Sequence, residues 1–86
     1  MKNYTATYLK HFKLTTADFI ACEVCESKAV DIHHIEARSI AKQKENEIEN
    51  LMALCRICHV LYGDKKQHKN FLIEIHRKHI KANGPK

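Results

Sequence analysis

Cys22-Glu-Val-Cys25 and Cys55-Arg-Ile-Cys58 are two Cys-x-x-Cys pairs with 29 residues between them. Two residues between thiols let one short turn aim both sulfurs at one ion, and two such turns supply the four ligands of a tetrahedral zinc site. The alternatives, two disulfides in a secreted chain or a redox pair, are less natural uses of this spacing. Size points the same way. A chain of 86 residues buries one small core, worth about 3–5 kcal/mol, whereas a structural zinc site contributes about 10 kcal/mol or more. Zinc on Cys22, Cys25, Cys55 and Cys58 would keep no open position, so it is expected to staple the fold, and any chemistry must lie elsewhere.

With 44% hydrophobic and 29% charged residues, 2 Gly and 1 Pro, the chain is neither disordered nor fibrous in composition. One domain spanning 1–86 is expected, with its core at about 20–62. No apolar run approaches the roughly 20 residues of a membrane-spanning helix. The N-terminus shows no secretory pattern, so a cytoplasmic protein without a membrane partner is expected. The formal net charge is +5. Seven basic and two acidic residues fall between Asp64 and Lys86, so the last quarter carries the whole excess. Such a patch favours an anionic partner.

Tyr4, Tyr8 and Phe12 recur every four residues and predict an N-terminal helix over 4–13, capped by Asn3, whose aromatic stripe packs into a core. Residues 29–33 alternate apolar and polar positions and predict a strand, with a second at 51–54. Residues 35–50 are polar and read as a loop with a helical turn near its start. A helix is expected from Arg56 or Ile57 to Gly63, which would close it in the left-handed conformation. A last helix, about 65–81, places Phe71, Leu72 and Ile75 on a packing face with His68 and His79. Lys66, Arg77 and Lys81 then project from a basic face.

The histidines are the remaining candidates for chemistry. His33 and His34 end the first strand and point to opposite faces of it. His59 follows Cys58 on the helix after the second cysteine turn. One of the pair can therefore join His59 at a metal while the other faces substrate. His11, His68, His76 and His79 read as surface or core residues.

Asp31-Ile32-His33-His34-Ile35, followed by Asn50-Leu51-Met52-Ala53-Leu54-Cys55-Arg56-Ile57-Cys58-His59, resembles the signature of the HNH endonucleases in their zinc-stapled form, with Cys22 and Cys25 completing the zinc site. The resemblance covers roughly residues 20–62. It implies a small α+β fold: a ββα-metal, treble-clef-like core stapled by a four-cysteine zinc, here with flanking N-terminal and C-terminal helices. It implies hydrolysis of DNA phosphodiester bonds with one catalytic divalent ion (Mg, Mn, Ni or Zn). His33 and His59 fall on metal ligands, His34 on the general base, and Asn50 on the residue that ties down the inter-strand loop. Arg38, Arg56, Lys66, Arg77 and Lys81 are expected to contact phosphate. Small proteins of this kind resemble those of phages and mobile elements, for which a packaging terminase or other DNA-processing partner is conceivable. Two departures stand out: 38–49 contains no Gly, and Gly63 occupies the place where many members carry a further His or Lys. The competing reading is a non-catalytic zinc module that binds nucleic acid or a protein.

Overall fold

The computed structural model describes residues 3–36, 47–63 and 65–83. Its centre is an antiparallel hairpin of β1 (Asp31–His34) and β2 (Leu51–Leu54). Asp31 stands opposite Leu54, Ile32 opposite Ala53, His33 opposite Met52 and His34 opposite Leu51. Facing residues share a side of the sheet. One face therefore carries Asp31, His33, Met52 and Leu54, and the other carries Ile32, His34, Leu51 and Ala53.

Both faces are covered, which is why every residue of β2 is buried. The first face packs Met52 and Leu54 with Cys22, Cys55, Cys58, Ile35 and Leu72. The second packs Leu51 and Ala53 with Tyr8, edged by Tyr4, Phe12, Ile20 and Ile32. The aromatic stripe thus sits in a core, as its helical spacing predicts.

The helix that carries it, α1 (Asn3–His11), ends two residues earlier than the 4–13 expected. Lys13 takes a left-handed backbone (φ 57°), its N–H bonds to the Lys10 carbonyl, and the Leu14 N–H reaches back to the Leu9 carbonyl at 2.8 Å. This double closure satisfies the last carbonyls of the helix.

The first strand is 31–34 rather than 29–33. Ala29 N–H is instead committed to the Ile20 carbonyl, while the Val30 N–H still reaches the Leu54 carbonyl at the end of β2. A short 3-10 turn, Ile48–Asn50, precedes β2. The helical turn expected early in the 35–50 segment falls largely in 37–46, outside the described residues.

Helix α2 (Arg56–Tyr62) starts on a Cys55 cap, whose sulfur accepts from the Cys58 N–H. It ends at Gly63, but not in the left-handed conformation expected of a closing glycine: φ is −67°. Space explains the glycine. A Cβ there would lie 2.3 Å from Cδ2 of His59 and 2.6 Å from the His59 carbonyl oxygen.

A 3-10 turn (Lys66–His68) leads into α3 (Lys69–Asn83). The buried stripe of α3 is Leu72 and His76, flanked by the partly buried Ile73 and Ile75. Phe71, expected on the packing face, is 44% exposed and rests on Tyr62. Lys66, Arg77 and Lys81 are exposed, as expected. No helix of the described residues is long and apolar enough to cross a membrane.

Candidate functional site

The four cysteines come from two turns. In the first, the Cys22 N–H bonds to the Ser27 carbonyl, the Glu26 N–H returns to the Cys22 carbonyl, and Glu26 adopts φ 69°. That closure presents Cys22 and Cys25 together. The second is the first turn of α2, which presents Cys55 and Cys58. All four sulfurs lie within 4.8 Å of one another, and Cys25 and Cys55 approach to 3.6 Å. Tetrahedral thiolates around zinc stand about 3.8 Å apart, given Zn–S bonds of about 2.3 Å. The sulfurs therefore fit one metal ion. Hydrogen bonds from Ser27 hold the exposed Cys25 thiol down at about 6, a ready thiolate at neutral pH. Burial pushes Cys58 up, a penalty that a bound dication reverses.

The first turn also carries an acid that the sequence reading passed over. The Glu23 side chain is fully buried, and its Oε2 accepts from the Tyr8 hydroxyl at 2.6 Å and the Ala53 N–H at 3.2 Å. Its Oε1 lies 2.7 Å from Nδ1 of His76, whose Nε2 is 2.6 Å from the Ile48 carbonyl oxygen. Burial opposes the imidazolium, but the Glu23 carboxylate outweighs it and raises the His76 pKa above its ordinary value. Tyr8 is pushed up as well, chiefly by burial and then by Glu23. His76, read from sequence as incidental, therefore closes a polar network joining α1, the first cysteine turn, β2 and α3.

The three candidate histidines divide as the strand pleat requires. His33, buried on the cysteine-side face, meets His59 of α2 with ring centroids 4.9 Å apart. Asp31, two residues before His33 on the same face, places Oδ2 2.9 Å from Nδ1 of His59 and 3.6 Å from Nη1 of Arg56. Asp31 was not singled out from sequence, although its period-two spacing from His33 was the available signal. His34 stands on the opposite face, its ring 4.6 Å from that of Tyr4. Among the described residues, the cysteines form the only group of three or more ligating side chains drawn so close together. Two imidazoles with a neighbouring carboxylate nonetheless suit a first-row divalent ion.

Asn50 is buried and bonds to one residue beyond β1 at both ends of its amide. Its Oδ1 accepts from the Glu36 N–H at 2.7 Å, and its Nδ2 donates to the Glu36 carbonyl at 3.1 Å. The Ile35 N–H adds a bond to the Asn50 carbonyl. The exit of the strand bearing His33 and His34 is thereby fixed to the entry of β2. Of the expected phosphate contacts, Arg56 lies beside Asp31 with most of its side chain exposed. Lys66, Arg77 and Lys81 are exposed on the C-terminal segment, and Arg38 lies outside the described residues.

A hairpin followed by a helix, with four clustered thiols and a histidine pair bridging strand and helix, defines a small metal-stapled ββα domain. The family model described as HNH endonuclease matches residues 22–65, and the chain belongs to that family. No curated protein and no solved structure matches it.

Proposed function

We propose that this chain is a metal-dependent HNH endonuclease that hydrolyses DNA phosphodiester bonds. The observation that carries the reading is the meeting of His33 and His59, 26 positions apart in sequence, with Asp31 on the Nδ1 of His59. That hydrogen bond commits Nδ1, so Nε2 is the nitrogen to offer a metal. His33 and His59 hold one divalent ion, which when bound neutralises charge on the phosphate and the leaving oxygen. Cys22, Cys25, Cys55 and Cys58 hold a structural zinc.

His34 acts as general base, its neutral imidazole taking the proton of the attacking water as the water oxygen bonds to phosphorus. Asn50 keeps the strand exit, and hence His34, in place. Because His34 and the His33–His59 pair occupy opposite faces of β1, the scissile phosphate lies along the outer edge of that strand, within reach of both. Arg38, Arg56, Lys66, Arg77 and Lys81 supply phosphate contacts in this reading. Residues 1–86 act as one cytoplasmic domain. A terminase-type partner enters only through the family resemblance.

The test is a supercoiled-plasmid assay with zinc-loaded protein and added Mg, Mn, Ni or no divalent ion, with His34→Ala alongside. Nicked or linear product from the wild type, and none from the folded variant, is expected. Intact plasmid in every lane, with salt-sensitive DNA binding, would replace the enzyme by the non-catalytic zinc module.

A further inference from the structure

We infer that Tyr4 is a positioning residue for His34, supplied by a helix outside the part of the chain that matches the family. The two rings stand edge to face, with centroids 4.6 Å apart and planes at 71°. Tyr4 belongs to α1, whereas the matched segment begins at residue 22.

The helix is anchored well enough to hold a ring in place. One turn after Tyr4, the Tyr8 hydroxyl is fixed to Glu23 at 2.6 Å. One turn further, Phe12 packs on His79 of α3 at 4.9 Å. Residues four apart share a helix face, so Tyr4 is carried to the same side of the hairpin as Tyr8, the side that bears His34.

A terminal imidazole torsion is broad and roughly two-fold when nothing restrains it. A base, by contrast, serves only within about 0.5 Å and 10–20° of its productive position. An aromatic wall at van der Waals distance narrows that torsion, and the edge-to-face arrangement favours one ring orientation over its alternatives. The side chain needs its ring for this, not its hydroxyl.

The inference rests on the reading of His34 as base, so its test includes a measurement independent of cleavage. The full zinc-loaded chain is prepared as wild type, Tyr4→Phe and Tyr4→Leu, with fold and zinc content compared first. Cross-relaxation between the Tyr4 and His34 rings, and the line widths of the His34 ring resonances, are then recorded by NMR. Single-turnover cleavage at saturating protein is measured beside DNA affinity without added divalent ion. We expect the ring–ring contact in the wild type, and Tyr4→Phe within about two-fold of it in rate. Tyr4→Leu should keep its DNA affinity, broaden the His34 ring signals and cleave about ten-fold more slowly. Unchanged His34 signals and an unchanged rate in Tyr4→Leu would overturn the inference. Should Tyr4→Leu fail to fold, absence of the ring–ring contact in the wild type would overturn it, and the contact together with wild-type-like Tyr4→Phe would uphold it. A wild type that cleaves nothing would sink the nuclease reading, while the ring contact and the His34 line widths would still decide whether Tyr4 holds that imidazole.

Discussion

Nδ1 of His76 lies 2.7 Å from Oε1 of Glu23, across 53 residues of sequence and with both side chains buried. Glu23 sits between two of the four cysteines and His76 on the last helix, so this contact ties the C-terminal helix to the metal turn. Removing one partner of a buried pair leaves the other without compensation, a loss of about 3–5 kcal/mol. Glu23→Ala and His76→Leu should each lower stability by that order in chemical denaturation at constant zinc. A loss below about 1 kcal/mol in both variants would show that the network is dispensable.

The same pair makes a pH prediction with a definite sign. The His76 pKa is raised in the fold, so its contribution is fully present below the unfolded value of about 6.5 and disappears as pH rises through the folded value. The stability gap between wild type and His76→Gln should therefore be widest in mild acid and narrow in alkali. Denaturation of both proteins at several pH values, with zinc content verified at each, checks this. A gap that widens as pH rises would reverse the assignment.

One zinc per chain is expected by elemental analysis, with helical circular dichroism lost on chelation and regained on adding zinc. Cys22→Ser should behave as the chelated wild type does, since structural zinc sites carry about 10 kcal/mol or more of apparent folding free energy. A chelated chain that keeps its helical signal and thermal transition would remove the metal from the folding scheme.

Asn50 can be dissected by two substitutions. Asn50→Asp keeps an acceptor for the Glu36 N–H but loses the donor to the Glu36 carbonyl, while Asn50→Ala loses both. Asn50→Ala should lower stability by about 1–3 kcal/mol, Asn50→Asp should also destabilise because its carboxylate faces the Glu36 carbonyl, and plasmid cleavage should slow in both. Equal stability of Asn50→Ala and wild type would refute the staple.

Gly63→Ala should be costly although its backbone angles suit any residue. The added methyl would collide with the His59 ring, and such overpacking costs about 1–3 kcal/mol. The displaced ring should also weaken binding of a second divalent ion, Mn or Co, measured by calorimetry on the zinc-loaded chain. Wild-type stability and second-ion affinity together would mean that the ring moves aside freely.

The parts of this fold that were legible in the sequence are those set by short spacings. The Cys-x-x-Cys turns, the 51–54 strand and the opposite directions of His33 and His34 each follow from a rule spanning a few residues, and each is present in the structure. The Glu23–His76 contact was not legible. A glutamate inside a cysteine turn reads as solvent-facing, and only the docking of a helix 53 residues away shows that it is buried. Asp31 lies between these cases, since the pleat put it on the face of His33 but nothing local pointed to His59. Gly63 marked the end of α2 correctly for the wrong reason, because a glycine required by a neighbouring ring looks the same in sequence as one required by its own torsion.

The ladder register has a consequence for how this site could change. His33 and His34 are chemically identical, and only the parity of their positions along β1 sends one toward His59 and the other toward Tyr4. Slipping a strand by one residue exchanges its two faces. A single inserted or deleted residue ahead of Asp31 that shifted the pairing would therefore send each histidine to the opposite face. One station would then take the other histidine and the second would take Ile32 or Ile35, and Asp31 would leave the face of His59. The adjacent pair therefore works in one register only, and a lineage that slipped would have to rebuild one station and the carboxylate at His59 together.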